Sequence, residues 1–558
     1  MGKRCFPLGL TPFEVPLLVF LATAGVGVWA AYDRSTAWAK FWMIVGAVAV
    51  YYALALQPEK NLWYLLGACE LIGVGIVTYF MLTYDWQKGP TDFGWLTRLG
   101  VRWMAVRPTL PGFIHPNVTG GLLAMLAPFA VALVGFSWRE RRMVLLVLNT
   151  FLMGLILLGL LFTSSRGAWA ALAVALGLSV AWSLVNRLAR WRRWPAGMIF
   201  ATLLLTGVVG ISVFVARYPG GIVALVNRMP GAPDGSSRWE MAQGAWRLAG
   251  DFPYTGGGLG AFSGLYSTYI LVIFVPLFTY SHNFFLDVAV EQGWFGLLAL
   301  TAILVGSVGL VMRDARRRRS EGHDGLLRWA VLSSLVAVCL HGLLDDALYG
   351  NGGTPLIFLA PGMAVAVTQS RFPVYAVAEE KRGYRRWLAF TGLAGGGLVL
   401  AILLIFQRPL LSDWYADLGA VQLARLKLVG WPESLQDPQP FELQPAEKLF
   451  EKAVALDPRN RTANQRLGQL ALGQRDFEKA FVYLEAAYEV DTGHRGIRKD
   501  LGYTDVWLGR PDQAAPLLTP IAEAASELGT YSWWWGTQGR TDLADRAAQM
   551  AKRLLNGD

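Results

Sequence analysis

Three short stretches of this sequence carry residue types that could do chemistry. Ser281-His282-Asn283 is followed, after nine residues, by Gly293-Trp294-Phe295-Gly296. Histidine titrates near neutrality, so His282 is a candidate for moving a proton. Thr163-Ser164-Ser165-Arg166-Gly167-Ala168-Trp169 sets one arginine in a tight polar turn between two apolar blocks. Ser237-Arg238-Trp239-Glu240 has the S-x-x-E spacing of a capping box, which predicts a helix start. Arg238 then stands at the positive end of the helix dipole, where the dipole does not explain its charge. Further polar candidates are His115-Pro116-Asn117, Glu70, and His341 with Asp345 and Asp346. One of those two aspartates could hold a divalent metal, although a capped helix end with solvated acids is the plainer reading. Gly256-Gly257-Gly258-Leu259-Gly260 reads as a tight turn, because no Lys-Ser/Thr follows it as a phosphate loop would require.

The elements that must position these residues are membrane helices. The chain has 558 residues, of which 54% are hydrophobic and only 16% charged, with 23 Trp and 61 Gly. Its mean hydropathy is +0.37. Soluble domains carry roughly 25% charged residues, so a chain this apolar needs a bilayer to cover it. Apolar blocks of spanning length lie near 13–32, 38–56, 61–83, 118–136, 142–162, 167–186, 195–216, 293–312, 329–345, 355–370 and 386–406. The run Ile270–Phe278 is too short to span and fits an interfacial or re-entrant piece. No cleavable signal pattern follows the first block.

Lysine and arginine orient the bundle. Lys3-Arg4, Arg139 with Arg141 and Arg142, Arg187 to Arg193, Arg313 with Arg316–Arg319, and Lys381 to Arg386 occupy every second connection. The positive-inside rule assigns all of them to the cytoplasm, which accounts for the net charge of +10 without nucleic acid. The remaining connections face outward: 84–117, the Thr163–Arg166 turn, a long loop at 217–292, and a turn at 346–354. A single arginine at a span end ordinarily snorkels. Arg166 lies outside, against the charge rule, in a turn too tight to let it wander, which favours a bound anion. After Arg238, Trp239, Ala242, Trp246 and Ala249 form a stripe suited to a membrane surface. Cys5, Cys69 and Cys339 are too few for a disulfide framework, and no Cys/His cluster calls for a metal.

Beyond about residue 406 the sequence turns polar and repeats. Ala446, Ala480, Ala514 and Ala548 are each 34 apart, as are Gly468, Gly502 and Gly536. That period resembles tetratricopeptide repeats and predicts an α-solenoid over 427–558, joined by a linker at 407–426. Such a solenoid offers a groove to a peptide or partner protein. The plainer alternative is a stabilising cap on the membrane domain.

Taken together, TSSRGAW, the Arg238 helix, the D-x-P and G-x-G stretch and the H-N-x9-G-x-x-G pattern resemble the O-antigen ligase and polymerase family. The resemblance covers roughly residues 15–370 and implies an all-α bundle of about 11–12 spans in the bacterial inner membrane. It implies a glycosyltransferase that moves a preassembled glycan from undecaprenyl diphosphate to an acceptor hydroxyl on the outer face. By that likeness Arg166 and Arg238 would hold the diphosphate. His282 would be the general base. Asn283, His341, Asp345, His115 and Asn117 would support them, with no metal or cofactor. Ligase, polymerase and protein glycosylase remain open, with a lipid, a glycan or a protein as acceptor. A flippase for lipid-linked sugars is the alternative of another class.

Overall fold

The computed structural model describes residues 11–87, 94–108, 110–192, 235–273, 276, 278–317, 323–350, 352–369, 406–433 and 440–556, with a few single positions between 202 and 217. All regular structure among them is helical. The membrane part comprises α1 (Glu14–Ala30), α2 (Arg34–Ala55), α3 (Leu62–Thr83), α4 (Gly94–Met104), α5 (Pro116–Arg139), α6 (Met143–Phe162) and α7 (Arg166–Arg192). It continues with α8 (Gly235–Asp251), α9 (Phe262–Tyr266), α10 (Phe284–Arg317), α11 (His323–Gly342) and α12 (Leu359–Gln369). Seven described helices are long and apolar enough to cross a membrane. The expected spans at 13–32 and 355–370 are shorter apolar helices. Those at 195–216 and 386–406 lie almost wholly outside the described residues, as do several of the basic connections. The loop at 84–117, expected to face outward, contains α4, an amphipathic helix that the hydropathy pattern did not single out.

Composition decides which helix is central. In α5, 83% of the spanning window is buried inside the protein, against 22% in α6. Glycine and alanine fill α5, so α3, α6, α7 and α11 can all approach it closely. The large apolar side chains of α6, such as Val144, Val147 and Phe151, face outward where lipid would be. The buried face of α8 is Met241, Ala245, Leu248 and Ala249, and it turns Trp239 and Trp246 outward. Ala249 therefore belongs to the opposite face from the predicted stripe, because α8 packs its small residues on α10.

The glycine turn and the H-N-x9-G-x-x-G pattern meet in one junction. Gly293 interrupts α10 with φ +70, in the left-handed region that favours glycine. This lets Trp294 N–H donate to Pro253 O at 2.9 Å, while Gly257 N–H donates to Val290 O at 2.7 Å. Gly256, also at φ +70, sits so close that a Cβ there would be 2.3 Å from Glu291 O.

The C-terminal region is a run of packed helices: α13 (Gln407–Lys427), α14 (Pro440–Leu456), α15 (Arg461–Gly473), α16 (Phe477–Val490), α17 (Arg495–Leu508), α18 (Pro511–Leu518), α19 (Ala524–Thr537) and α20 (Thr541–Asn556). Residues 407–426, expected as a linker, are helical. Asp417 of α13 accepts hydrogen bonds from Tyr254 N–H at 2.8 Å and Thr255 N–H at 3.1 Å. The helix starts Arg461 and Arg495, and Phe477 and Pro511, are 34 residues apart. Ala446, Ala480 and Ala514 are fully buried, whereas Ala548 is exposed and Ala547 buried in its place. The last pair is thus out of register with the alanine period. Gly468 and Gly502 pack against Leu484 and Leu518, but no described residue approaches Gly536.

A buried histidine lies where these helices meet the loop of the membrane part, near Asp251 and Arg247. His494 caps α17, with Nδ1 accepting Ile497 N–H at 3.2 Å. Burial drives its pKa well below the ordinary imidazole range, and Arg461, Arg466 and Arg247 push it lower while Asp251 opposes them. A depressed pKa gives stability that is complete above the unfolded value, about 6.5, and lost as pH falls below it. The thermal midpoint of the purified protein should therefore drop between pH 7.5 and 5.5. His494→Asn keeps a capping side chain and should drop less, which a pair of thermal melts in detergent measures.

Candidate functional site

The polar residues singled out in the sequence converge at one end of the bundle. α5 and α11 run antiparallel: His323 Nε2 at the start of α11 meets Glu140 Oε1, just past the end of α5, at 2.7 Å. Their other ends meet where Asn117 Nδ2 donates to Asp345 Oδ2 at 2.6 Å. α7, α8 and α10 begin near this same end, so the site lies opposite the Arg139–Arg142 turn.

Asp345 is the hub. His282 Nδ1 lies 3.1 Å from Asp345 Oδ1. Arg238 Nη2 is 3.9 Å from Oδ2, and Arg238 Nη1 donates to Leu344 O at 3.3 Å. The Asp345 side chain is only 4% exposed, whereas that of Arg238 is 40% exposed and that of His282 25%. Burial acts to raise the Asp345 pKa, but the hydrogen bond and charge of His282, then Arg238 and His341, outweigh it. The carboxyl is held below its usual range and stays ionised. Asp345 and Asp346 were expected at a helix end, but α11 stops at Gly342 and both occupy the following turn. Asp346 folds back to accept Leu348 N–H at 3.0 Å, Tyr349 N–H at 2.7 Å and Gly350 N–H. It caps that turn, and only Asp345 faces His282.

The turn at His282 is built locally. Ser281 N–H donates to Asp287 Oδ1 at 2.8 Å, and Asn283 Oδ1 accepts Phe285 N–H and Leu286 N–H, each at 3.1 Å, capping α10. Asn283 Nδ2 also donates to Leu343 O at 3.2 Å. His282 is left with φ +55, a left-handed conformation uncommon for a non-glycine residue and concentrated at functional sites. Asn283 is thus the cap that presents His282. The Tyr280 ring, missed in the sequence although two residues away, packs 4.5 Å from the His282 ring.

His115 caps α5, its Nδ1 accepting Asn117 N–H at 3.2 Å. Burial lowers its pKa, and it lies close enough to feel Asp345, His282 and Arg238. His341 is buried beside them and lines a small cavity with Gly121, Phe284 and Ala347, its Nε2 without a hydrogen-bond partner among the described residues. Arg166 opens α7 and is half-buried. The turn before it is as tight as expected, with Ser164 at φ +52 and Trp169 N–H donating to Ser165 O at 3.0 Å. Its neighbour Gly167 faces Leu344, the residue before Asp345. Among the described residues no three His, Cys, Asp or Glu side chains are grouped to hold a metal ion.

Behind the site lies a buried network that the sequence reading also missed. Lys40 Nζ pairs with Glu291 Oε2 at 2.6 Å and sits 3.8 Å from the Tyr349 ring centroid. Gln292 Nε2 donates to Tyr349 OH at 2.9 Å, and Thr23 Oγ1 donates to Gln292 Oε1 at 2.8 Å. An ionisable residue within a span is a warning in the sequence, and Lys40 carries that signal. Chemically, the arrangement holds His282 Nδ1 on a carboxylate and leaves Nε2, with no hydrogen bond among the described residues, able to take a proton beside a partly exposed arginine.

Comparison with known proteins gives one family match. A family model described as O-Antigen ligase matches residues 151–301, about a quarter of the chain. The matched segment runs from α6 into α10 and contains Arg166, Arg238 and His282. It supports a multi-pass membrane protein with a glycan ligase or polymerase type of function. No curated protein and no solved structure matches the chain.

Close packing at α5 makes a direct test. A Cβ on Gly121 would lie 2.5 Å from His341 Cε1 and 2.6 Å from Ala347 Cβ, whereas no described residue approaches Gly154. Gly121→Ala should destabilise the protein by about 1–3 kcal/mol, as overpacking does. Gly154→Ala should not destabilise it, and thermal melts of both variants give the comparison.

Proposed function

We propose that the protein transfers a preassembled glycan from undecaprenyl diphosphate to an acceptor hydroxyl at the outer face of the bacterial cytoplasmic membrane. The observation that carries this reading is the contact of His282 and Arg238 with one buried carboxylate, Asp345. The acceptor O–H gives its proton to His282 Nε2 as its oxygen attacks the anomeric carbon. The bond from that carbon to the diphosphate oxygen breaks, and the bonding pair leaves with undecaprenyl diphosphate. Attack opposite the leaving group inverts the anomeric carbon. Asp345 fixes the imidazole tautomer through Nδ1 and stabilises the imidazolium that forms, as the carboxylate of a catalytic triad does. Arg238 and Arg166 bind the diphosphate, whose negative charge grows in the transition state. A diphosphate leaves as an anion, so the scheme needs no strong general acid and no metal.

The site faces outward in this reading because it lies opposite the basic Arg139–Arg142 turn. Residues 1–406 form the transferase domain, with the N-terminus in the cytoplasm and tetratricopeptide-like repeats over 427–558 outside. The repeats lie on the site's loop, which favours an acceptor or partner protein bound there over a lipid alone.

The test uses purified protein in lipid with an undecaprenyl-diphosphate glycan and lipid, glycan and protein acceptors. Wild type should release undecaprenyl diphosphate and form product with or without EDTA. His282→Ala should lose about 10²–10⁴-fold in rate, the usual worth of a positioned base. Asp345→Asn should also be strongly impaired, since it favours the wrong tautomer. Full activity in His282→Ala removes the base assignment, and loss of transfer in EDTA points to a metal on Asp345 or Asp346. Donor crossing the bilayer without product would make the protein a flippase.

A further inference from the structure

Helix α8 joins two charged clusters. Arg238, near its start, meets Asp345. Asp251, its last residue, lies thirteen positions on, about 20 Å away at 1.5 Å per residue. The Asp251 side chain is fully buried by the C-terminal helices: Arg461 Nη2 reaches Oδ1 at 2.6 Å and Arg466 Nη2 reaches Oδ2 at 2.7 Å. Thr462 Oγ1 donates to Oδ1 at 2.8 Å. Arg466 is itself fully buried, its guanidinium 3.5 Å from the Tyr269 ring centroid. Arg461 also donates to Arg247 O at 3.1 Å, and Arg247 Nε donates to Asp491 at 2.9 Å. Lys499, its Nζ donating to Leu271 O at 3.1 Å and Val272 O at 3.3 Å, holds the chain ten residues before His282.

Burying an aspartate and two arginines is a poor way to gain stability, since apolar residues of equal volume generally do as well. What such a cluster supplies is direction: two arginines, each giving one charged N–H to a different oxygen, fix the carboxylate from both sides. Both arginines belong to α15, while the carboxylate terminates the helix that carries Arg238. At its start the same helix is held by the packing of Met241 and by the half-exposed contact of Arg238 with Asp345 and Leu344.

We propose that the C-terminal helices are a positioning domain for the transferase site, in which Arg461 and Arg466 hold Asp251 and so set where α8 places Arg238. Asp251, Arg461 and Arg466 are positioning residues. This inference rests on the reading of Arg238 as a diphosphate ligand and extends it to the repeats. It also makes the rate sensitive to whatever shifts α15.

A double-mutant cycle on the full-length protein in lipid tests it, with kcat and donor KM measured for Asp251→Asn, Arg238→Ala and the pair. Asp251→Asn should lower kcat/KM for the donor by about 10–100-fold, and by less than about threefold when Arg238 is already alanine. Equal losses in both backgrounds, or wild-type kinetics in Asp251→Asn, overturn the proposal while leaving the site reading intact. Full activity in Arg238→Ala overturns the site reading and the proposal with it. Arg461→Gln, which removes one arginine and leaves Arg466 in place, serves where Asp251→Asn does not fold. Spin labels at Glu240→Cys and Leu343→Cys should then report a broader distance distribution in Arg461→Gln than in the parent. An unchanged distribution rejects positioning.

Discussion

The site depends on one buried carboxylate that stays ionised. Asp345 is nearly inaccessible, yet it takes a hydrogen bond from Asn117, holds Nδ1 of His282 and lies beside Arg238. An isolated charge at that depth would be expelled or neutralised. Here each partner reaches it from a different segment: the start of α5, the turn before α10, and the start of α8. The carboxylate therefore gathers three chain segments that are far apart in sequence, and their convergence is a condition of its own ionisation.

The backbone around it is arranged to the same end. α11 stops short of Asp345, and the turn that follows is capped by Asp346 through three backbone N–H groups. Adjacent aspartates thus do separate work, one holding the turn and the other the histidine. The Lys40–Glu291 pair and the Tyr349 hydroxyl back the same turn from the membrane interior. A buried pair of this kind contributes little net stability, but removing either partner strands a charge. Small residues complete the arrangement, since α5 can bring its glycines against His341 and Ser165 only because they lack side chains.

The C-terminal helices are tied to the loop by charge as well as by packing. Asp251, Asp491 and the carbonyls of Leu271 and Val272 all engage cations across that contact, although some of those cations lie on each side of it. Interfaces between domains of one chain are commonly more polar than a domain core, and relative motion is then the default. The fully buried pair of Arg466 with Asp251, joined by Arg461, argues for the reverse at this contact.

Much of this protein is legible in its sequence because membrane insertion and helix periodicity are local constraints. Apolar blocks located the described spans to within a few residues, except where α10 begins nine residues early because Gly293 breaks the helix without ending it. The 34-residue alanine period marked the paired helices until the last unit, where burial passed from Ala548 to Ala547. Residue type and spacing also singled out His282, Arg238, Arg166 and Asp345. Pairing was another matter. Asp345 read as a supporting residue or a metal holder and contacts Nδ1 of His282, while Asn283 caps a helix. Lys40, Glu291 and Tyr349 went unnoticed, because each makes sense only against residues up to several hundred positions away. Local sequence determines which side chains are available and which helices carry them. Which of those charges share a buried space is decided by tertiary packing alone, because desolvation and hydrogen bonding depend on neighbours in three dimensions.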